Sequence, residues 1–389
     1  MRVSPAPSPV PVFDPLTEAV EAFVEDVVLP DVAAWDRDDV LPDAVWDRLV
    51  ELGLPGALVP AEHGGGGRTV GELVPAWRAL SRGWISLTGA INPTGLATTL
   101  LLAHGTDEQQ ARWLPVLGSG DGHAAFSITE PGAGSDLTNI VTTAEPVDGG
   151  LRLDGRKRWV AGGVSSAVVL MMVRTGDGLS CAVVPTTGRD SPTWRVEEID
   201  KVGYRGVESA AYVFDGHEAV GAEILGGPDG TGQGARQMLG ALGVGRVNVA
   251  CRALGIVDRA LAVALDEATH REVGGATLGE HTHAQLRIGE LRAQLLAAES
   301  LTLRAAAAVD AGTDEARDLA SAAKIVASDL AVLAVDRAAR LAASRSYRAG
   351  DELARLRRDA PQTQIGEGAN DALLLALGRA AVEGAADDA

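Results

Sequence analysis

The chain has 389 residues, too many for one ordinary core, so two or three domains are expected. Hydrophobic residues make up 46% and aromatics only 4%, a balance rich in Ala and Leu that favours helices over β-sandwiches. With 53 acidic against 34 Lys and Arg residues the net charge is -19, which argues against nucleic acid or an anionic membrane as partner. An anionic ligand is not excluded, since a site needs only a few local Arg side chains.

From the start, four prolines precede Asp14 with no apolar signal core, so residues 1–13 read as a flexible tail. From about Asp14 to residue 118 the pattern is helical. "LTEAVEAFVEDVVL" repeats apolar residues at three- and four-residue steps. "LPDAVWDRLVELGL" starts after Pro42 and stops at Gly53, and "GTDEQQARWLPVL" offers Thr106 as N-cap with Gln109 at the capping-box position. Within residues 119–228 the texture changes to short apolar runs punctuated by Gly, Asp and Pro, with "DGG" and "GDG" as hairpin turns, which predicts a β domain. Residues 229–389 return to long Ala/Leu-rich stretches broken near Gly274-Gly275, Gly312 and Gly350, the signature of a bundle of four or five helices. The longest clean apolar run, Ala167 to Val173, is far too short to cross a membrane. Cys181 and Cys251 are the only thiols and form no CxxC, which suits a reduced, cytoplasmic protein.

Several local patterns carry little. "HGGGGR" (His63 to Arg68) is similar to an esterase oxyanion loop, but no G-x-S-x-G nucleophile elbow accompanies it, so it reads as a flexible turn. "GTGQG" lacks the full G-x-G-x-x-G. "EHTH" (Glu280 to His283) has no third ligand cluster and reads as a solvated helix start, so no metal is expected. "RLRRDA" (Arg355 to Ala360) reads as a solvated helix face. Two stretches carry more. "FSITEPGAGSD" (Phe126 to Asp136) crowds small hydrogen-bonding groups into one bend, as a surface turn or as backbone approaching a flat polar ligand. "QIGEGAND" (Gln364 to Asp371) puts Glu367 between two glycines just before an apolar helix; a carboxylate at the mouth of an apolar bundle has a raised pKa and can act as a general base.

Together these segments resemble the acyl-CoA dehydrogenase family over nearly the whole chain. The resemblance rests on "ELGLPGALVPAEHGGGG", on "GTDEQQARWLPVLGSGDGHAAFSITEPGAGSD", on "DKVGYRGVESAAYVFDGHEAV" and on "LRRDAPQTQIGEGAND", in that order. It implies a mainly α fold with a central β domain: an N-terminal helical domain, a middle β-barrel and a C-terminal four-helix bundle. It also implies FAD as cofactor. Phe126, Ser127, Ile128, Thr129, Gly134 and Ser135 would line the flavin, with Trp159, Val160 and Ala161 of "RWVAGG" on a second strand and Ala369 and Asp371 after the base. Ser135, Arg246 and Gly368 would meet the substrate, an acyl-CoA or acyl carrier protein thioester. Glu367 would take the α-proton while the β-hydride goes to the flavin, with a backbone N–H of the base and a flavin hydroxyl on the thioester carbonyl. An electron transfer flavoprotein would be the electron acceptor.

The chain departs from the family's pattern at the far end of the cofactor. The family's R-x-x-F-G motif is "GGATLG" here, with Gly275 and Leu278 at the Arg and Phe places. "AASRSY" (Ala342 to Tyr347) stands where the family has a Gly-rich turn from the neighbouring subunit, Ala161 replaces a flavin-facing Thr, and Ala369 replaces the Thr after the base. The resemblance therefore implies an oligomer either of identical chains or with a related partner chain that supplies the missing Arg and Gly turn. Two alternatives to the dehydrogenase stay open: a flavin monooxygenase or N-oxygenase on the same fold, and a partner subunit without catalysis of its own.

Overall fold

A computed structural model describes residues 14–387; the proline-rich start lies outside the described residues. The Asp14 carboxylate caps α1 (Pro15–Phe23) by accepting from the Leu16 and Thr17 N–H groups. A wide turn, Val24–Val28, carries the chain on into α2 (Leu29–Asp38), and α3 (Asp43–Glu51) starts directly after Pro42. Reciprocal capping boxes open α4 (Val70–Gly83), from Thr69 and Glu72, and α6 (Asp107–Ser119), from Thr106 and Gln109 as the sequence indicates. Between them runs α5 (Ile85–His104), long and apolar enough by itself to span a membrane but buried against α4 and the elements that follow.

The middle of the chain forms an eight-stranded sheet. Its strands are β1 (Ala124–Ser127), β2 (Thr143–Val147), β3 (Gly150–Ala161), β4 (Val168–Thr175), β5 (Gly178–Pro185), β6 (Trp194–Glu198), β7 (Ser209–Val220) and β8 (Glu223–Ile224). The order is β6-β7-β3-β1-β4-β5-β8, with β2 against β3 and β4. "DGG" and "GDG" do make tight hairpins, closing Val147 on Gly150 and Thr175 on Gly178. β1 is the centre of the sheet, parallel to β4 and antiparallel to β3 at Phe126 and Ala161.

The helices that follow are α7 (Gly234–His270), a small hairpin of β9 (Glu272–Val273) and β10 (Ala276–Thr277), then α8 (Thr282–Ala311), α9 (Ala316–Ala342), α10 (Glu352–Ile365) and α11 (Asn370–Asp387). α7 is the spine, packed against α4, α5, α8, α9 and α10. One apolar core therefore runs from Val20 and Leu80 of the first helices to Val257, Ala334 and Leu356 of the last ones. A second joins Leu100, Leu114, Ala124, Leu170 and Met238, and a third lies within the sheet around Trp194 and Tyr212.

Two local expectations change. The "HGGGGR" run is not loose: Gly65, Gly66, Gly67 and Arg68 donate their N–H groups to Pro60, Gly56, Val59 and Ala57 carbonyls. A Cβ on Gly65 would meet the Val59 carbonyl at 2.3 Å, so close backbone packing, not mobility, is what the glycines serve. The "RLRRDA" run is only partly solvated, because Arg355 is buried and lies 3.3 Å from Glu352 and 3.9 Å from Asp359.

Candidate active site

Glu367 sits in the short turn between α10 and α11, with φ +54, and Gly368 follows at φ +101. A left-handed non-glycine residue costs roughly 1–2 kcal/mol and persists where its surroundings over-determine it. Here the main restraint is one cation. Lys324 of α9 is fully buried, and its ammonium donates to Gln364 O at 2.9 Å, Gly368 O at 2.7 Å and Asn370 Oδ1 at 2.7 Å. Burial draws its pKa down from 10.5 to about 8, against the pull of Glu367. Asn370 in turn donates to Ser328 Oγ at 3.0 Å and Asp329 Oδ1 at 2.8 Å. Arg246 Nε donates to Glu367 O at 3.3 Å and its Nη1 to Ser321 Oγ at 3.2 Å, so this buried side chain grips the backbone of the turn and does not stand open to a substrate.

The Glu367 carboxylate points back towards α5 and α7. Asn92 Nδ2 donates to its Oε1 at 2.8 Å, and Gly245 clears its path: a Cβ there would stand 2.8 Å from Cδ and 3.0 Å from Oε2. Burial pushes this carboxyl above its ordinary 4.5, and Arg252, the Asn92 bond, Arg246 and Lys324 reverse the rise only in part. Beside it lies a small recess of about 10 Å³ walled by Leu54, Leu73, Trp77, Ile91 and Val244, with Asn92 and Asn248 as its amides. A base of raised pKa next to an apolar recess can remove a proton from a carbon acid that water alone does not ionise.

The second half of the site lies on the sheet. Phe126 faces Ala161 across β1 and β3, and the Arg158 N–H donates to Thr129 O at 2.9 Å. The β3–β7 pairing slips between Lys157 and Val160, and in that bulge Trp159 takes φ +60 with 52% of its surface exposed. An exposed indole in a strained bulge beside exposed backbone is the kind of platform a planar ring needs. Ile128 and Thr129 are half-buried at its edge, while Gly134 and Ser135 are exposed in the following bend. Ser127 and Val160 are buried, which leaves only their backbone for a ligand. Ala369 is half-buried and Asp371 is exposed in the first turn of α11.

The bend is held from beneath by a buried ion pair. Glu130 and Lys157 meet at 2.8 Å, with side-chain exposures of 2% and 0%. Glu130 also accepts from the Val141 and Thr142 N–H groups, and Lys157 donates to Ile128 O at 3.2 Å. Burial raises the Glu130 pKa, but the bonds from Lys157, Thr142 and Val141 outweigh it and hold the carboxyl low. Helix α5 joins the two halves: Thr94 Oγ1 accepts from the Ala124 N–H at the start of β1 at 3.1 Å, two residues beyond the Asn92 that holds Glu367.

Comparisons with known proteins agree with this layout. The N-terminal, middle and C-terminal domains described for acyl-CoA dehydrogenases match residues 14–121, 125–217 and 232–382. Benzylmalonyl-CoA dehydrogenase of Aromatoleum aromaticum is 31% identical over 360 residues, covering 92% of this chain and 94% of that one. The chain belongs to the acyl-CoA dehydrogenase family. (2S)-Methylsuccinyl-CoA dehydrogenase of Cereibacter sphaeroides is 30% identical over 89% of this chain, which spans 65% of that relative's length. The solved butyryl-CoA dehydrogenase of Megasphaera elsdenii superposes with a TM-score of 0.88 at 26% identity, over 94% of this chain and 97% of that one. This acyl-CoA dehydrogenase family member is an oxidoreductase, and the family is flavin-dependent.

The departures from the family pattern have local reasons. Gly274 and Gly275 both take positive φ, +63 and +85, at the β9–β10 turn, so the hairpin itself demands glycine at the family's Arg position. Leu278 is buried. Arg345, in the segment replacing the Gly-rich turn, lies 2.7 Å from Glu267, 3.5 Å from Asp266 and 3.6 Å from Asp351, held by acids of its own chain. The sequence reading passed over Asn92, Lys324, Arg252, Asn248 and the Glu130–Lys157 pair. One signal was available: the chain has only three lysines, Lys157, Lys201 and Lys324, and Lys324 sits in an otherwise apolar stretch, "ASAAKIVA".

Proposed function

We propose that the protein catalyses α,β-dehydrogenation of an acyl thioester, carried on CoA or an acyl carrier protein, to the trans-2-enoyl thioester. The observation that carries this reading is the Glu367 carboxylate, raised in pKa and held by Asn92 at the mouth of an apolar recess. Glu367 takes the α-proton, the Cα–H electron pair becomes the new double bond, and the β-hydride leaves to the acceptor. The backbone N–H of Glu367 donates to the thioester carbonyl and stabilises the developing enolate. Lys324 and Arg246 keep that N–H and the carboxylate in one orientation by fixing the turn's carbonyls. A base so positioned contributes roughly 10²–10⁴-fold.

The sheet half fits the ring of FAD, with Phe126, Ile128, Thr129, Trp159 and Ala161 as its support. When bound, the flavin supplies the hydride acceptor, and an electron transfer flavoprotein takes the electrons onward. Purified protein loaded with FAD and mixed anaerobically with a saturated acyl-CoA should lose its flavin absorbance and yield the enoyl thioester by mass. Glu367→Gln should retain FAD and show no bleaching; equal bleaching in variant and parent refutes the assignment.

A second arrangement, a mixed oligomer, is favoured by one observation: the side chains that would answer for the missing Arg are absent at Gly275 and occupied at Arg345. Loss of one charge-assisted contact costs on the order of 1.5–3 kcal/mol. Full FAD occupancy and turnover in the chain expressed alone would rule the partner out, and filling only on co-expression with a related dehydrogenase chain would establish it.

A further inference from the structure

Two helix faces lead from Glu367 to one buried cation. On α5, Gly89 lies three residues before Asn92, which donates to the Glu367 carboxylate at 2.8 Å. On α7, Gly245 makes room for that carboxylate; Asn248 follows three residues later and Arg252 seven, all on one face. Arg252 is 2% exposed and reaches back along the helix, its Nε donating to Asn248 Oδ1 at 2.8 Å. The guanidinium is thereby carried to the turn next to Gly245, roughly 5.4 Å along the axis. Its Nη1 donates to the Tyr204 hydroxyl at 2.8 Å, and the group lies 5.3 Å from the centre of the Tyr204 ring. Tyr204 in turn fills the space at Gly89, where a Cβ would stand 2.1 Å from the hydroxyl oxygen. Both faces begin at the carboxylate and end on the Tyr204–Arg252 pair.

Tyr204 comes from outside the bundle. It belongs to the loop between β6 and β7 and takes a left-handed φ of +57, a conformation that persists where its surroundings over-determine it. Its N–H donates to Asp359 Oδ1 at 2.8 Å, on α10, the helix that ends in the Glu367 turn. Gly203 packs so tightly on α10 that a Cβ would stand 2.1 Å from Arg358 O, and the Gly206 N–H donates to Asp39 Oδ1 at 2.6 Å at the end of α2. Burial raises the pKa of the Tyr204 hydroxyl, so it stays neutral and serves Arg252 as an acceptor. The charged groups around Glu367 are Arg246 and Arg252 from α7 and Lys324 from α9, which itself faces Asp329; α5 presents the neutral Asn92. Behind Tyr204 stands Asp359, pushed up to about 6 by burial against Arg355 and Arg358, with Asp36 adding to the rise. Lys324 and Arg246 direct donors at the carbonyls of the turn, whereas Arg252 directs its own at Asn248 and Tyr204. Burial is the largest influence on the Glu367 carboxyl and raises its pKa; Arg252 is the largest that opposes it.

Resting on the dehydrogenase reading above, we propose that Arg252 is a positioning residue for that reaction: Tyr204 and Asn248 aim its charge at Glu367, so that the carboxylate stands ionised and ready for the α-proton. Without that charge the buried carboxylate keeps its own proton to higher pH. In FAD-loaded Arg252→Gln, the acid limb of kcat/KM for flavin bleaching should therefore move by about one pH unit or more in the alkaline direction. Below the limb that is a loss of roughly tenfold, whereas the alkaline plateau should stay close to the parent's. Arg252→Lys keeps the charge and should restore part of the shift. Tyr204→Phe keeps the ring and deletes only the acceptor; it should move the limb the same way by less, and add nothing in the Arg252→Gln background. Infrared titration of the carboxyl band that Glu367→Gln removes should give the same shifts without turnover. An Arg252→Gln limb that stays put, or a rate that falls equally at every pH, overturns the proposal. So does a Tyr204→Phe shift of equal size with and without Arg252. If Arg252→Gln does not fold, Tyr204→Phe decides alone: a limb and an infrared midpoint both at the parent's values overturn the proposal. Displaced infrared midpoints in a protein that no thioester bleaches would sink the dehydrogenase reading while leaving the positioning of Glu367 standing.

Discussion

Gly245→Ala should separate stability from turnover. Gly245 lies inside α7, where alanine in place of glycine favours the helix by roughly 0.5–1 kcal/mol. The added Cβ would stand 2.8 Å from Glu367 Cδ and 3.0 Å from Oε2. Ordinary carbon contacts begin near about 3.5 Å, so the carboxylate must retreat by roughly 0.7 Å. That retreat strains the 2.8 Å bond from Asn92, worth about 1.5–3 kcal/mol if it broke outright. Glu367 has rotatable bonds enough to give way without moving the helices, so gain and loss nearly cancel. The melting temperature is expected to stay within roughly 2–4 °C of the parent. Catalysis has no such compensation: a misplacement on this scale costs about 10²-fold. Stopped-flow bleaching of the flavin under saturating thioester gives the rate, and thermal unfolding by circular dichroism gives the stability. A bleaching rate equal to the parent's would refute the placement of the base against Gly245.

Three further outcomes are expected. Asn92→Ala removes a bond that lowers the Glu367 pKa, so the base becomes available only at higher pH and the acid limb of kcat/KM should move in the alkaline direction; a limb that stays put contradicts the contact. Lys324→Met strands Gln364 O, Gly368 O and Asn370 Oδ1 while relieving the cost of a buried charge, and should lose about 2–4 kcal/mol in urea unfolding with a larger fall in kcat than rise in KM. Lys157→Met leaves Glu130 buried and unpaired, a loss of about 3–5 kcal/mol that adding Glu130→Gln should partly restore. Because the folded Glu130 pKa is depressed, the parent owes this pair stability that is present above the ordinary carboxylate range and is lost as pH falls through the folded value; a Lys157→Met stability curve of unchanged shape in that acid window contradicts the pairing.

The succession of helices, strands and helices was legible because each segment carries its own period and its own Gly, Pro and Asp punctuation. Glu367 was legible for the same reason: its turn is announced by flanking glycines and a following apolar run. The groups that fix Glu367 were not, since Lys324 reaches the neighbouring Gly368 carbonyl across 44 residues and Asn92 reaches the carboxylate across 275. Helical periodicity says that a face is buried and not against what. So Asn248 and Arg252 looked like ordinary members of an Ala-rich helix, and Arg355 looked solvated although Glu352 and Asp359 enclose it. Trp159 stood out only through the motif around it; the bulge that exposes it depends on how β3 pairs with β7, which no local pattern records.

The long helix α7 has a mechanical consequence. At about 1.5 Å per residue its 37 residues make a rod of roughly 55 Å. It starts at Gly234, which lies so close to the Ser180–Cys181 peptide that a Cβ would sit 2.2 Å from the Ser180 carbonyl carbon, and it carries Gly245, Asn248 and Arg252 along its middle. The rod thereby serves as a ruler between the sheet and the turn that bears Glu367. It also fuses segments that are far apart in the chain, since Val20 and Leu80 of the first helices and Ala334 and Leu356 of the last ones share one core along it. Neither the first helices nor the last could therefore be exchanged for a relative's counterpart without rebuilding the surface of this one helix.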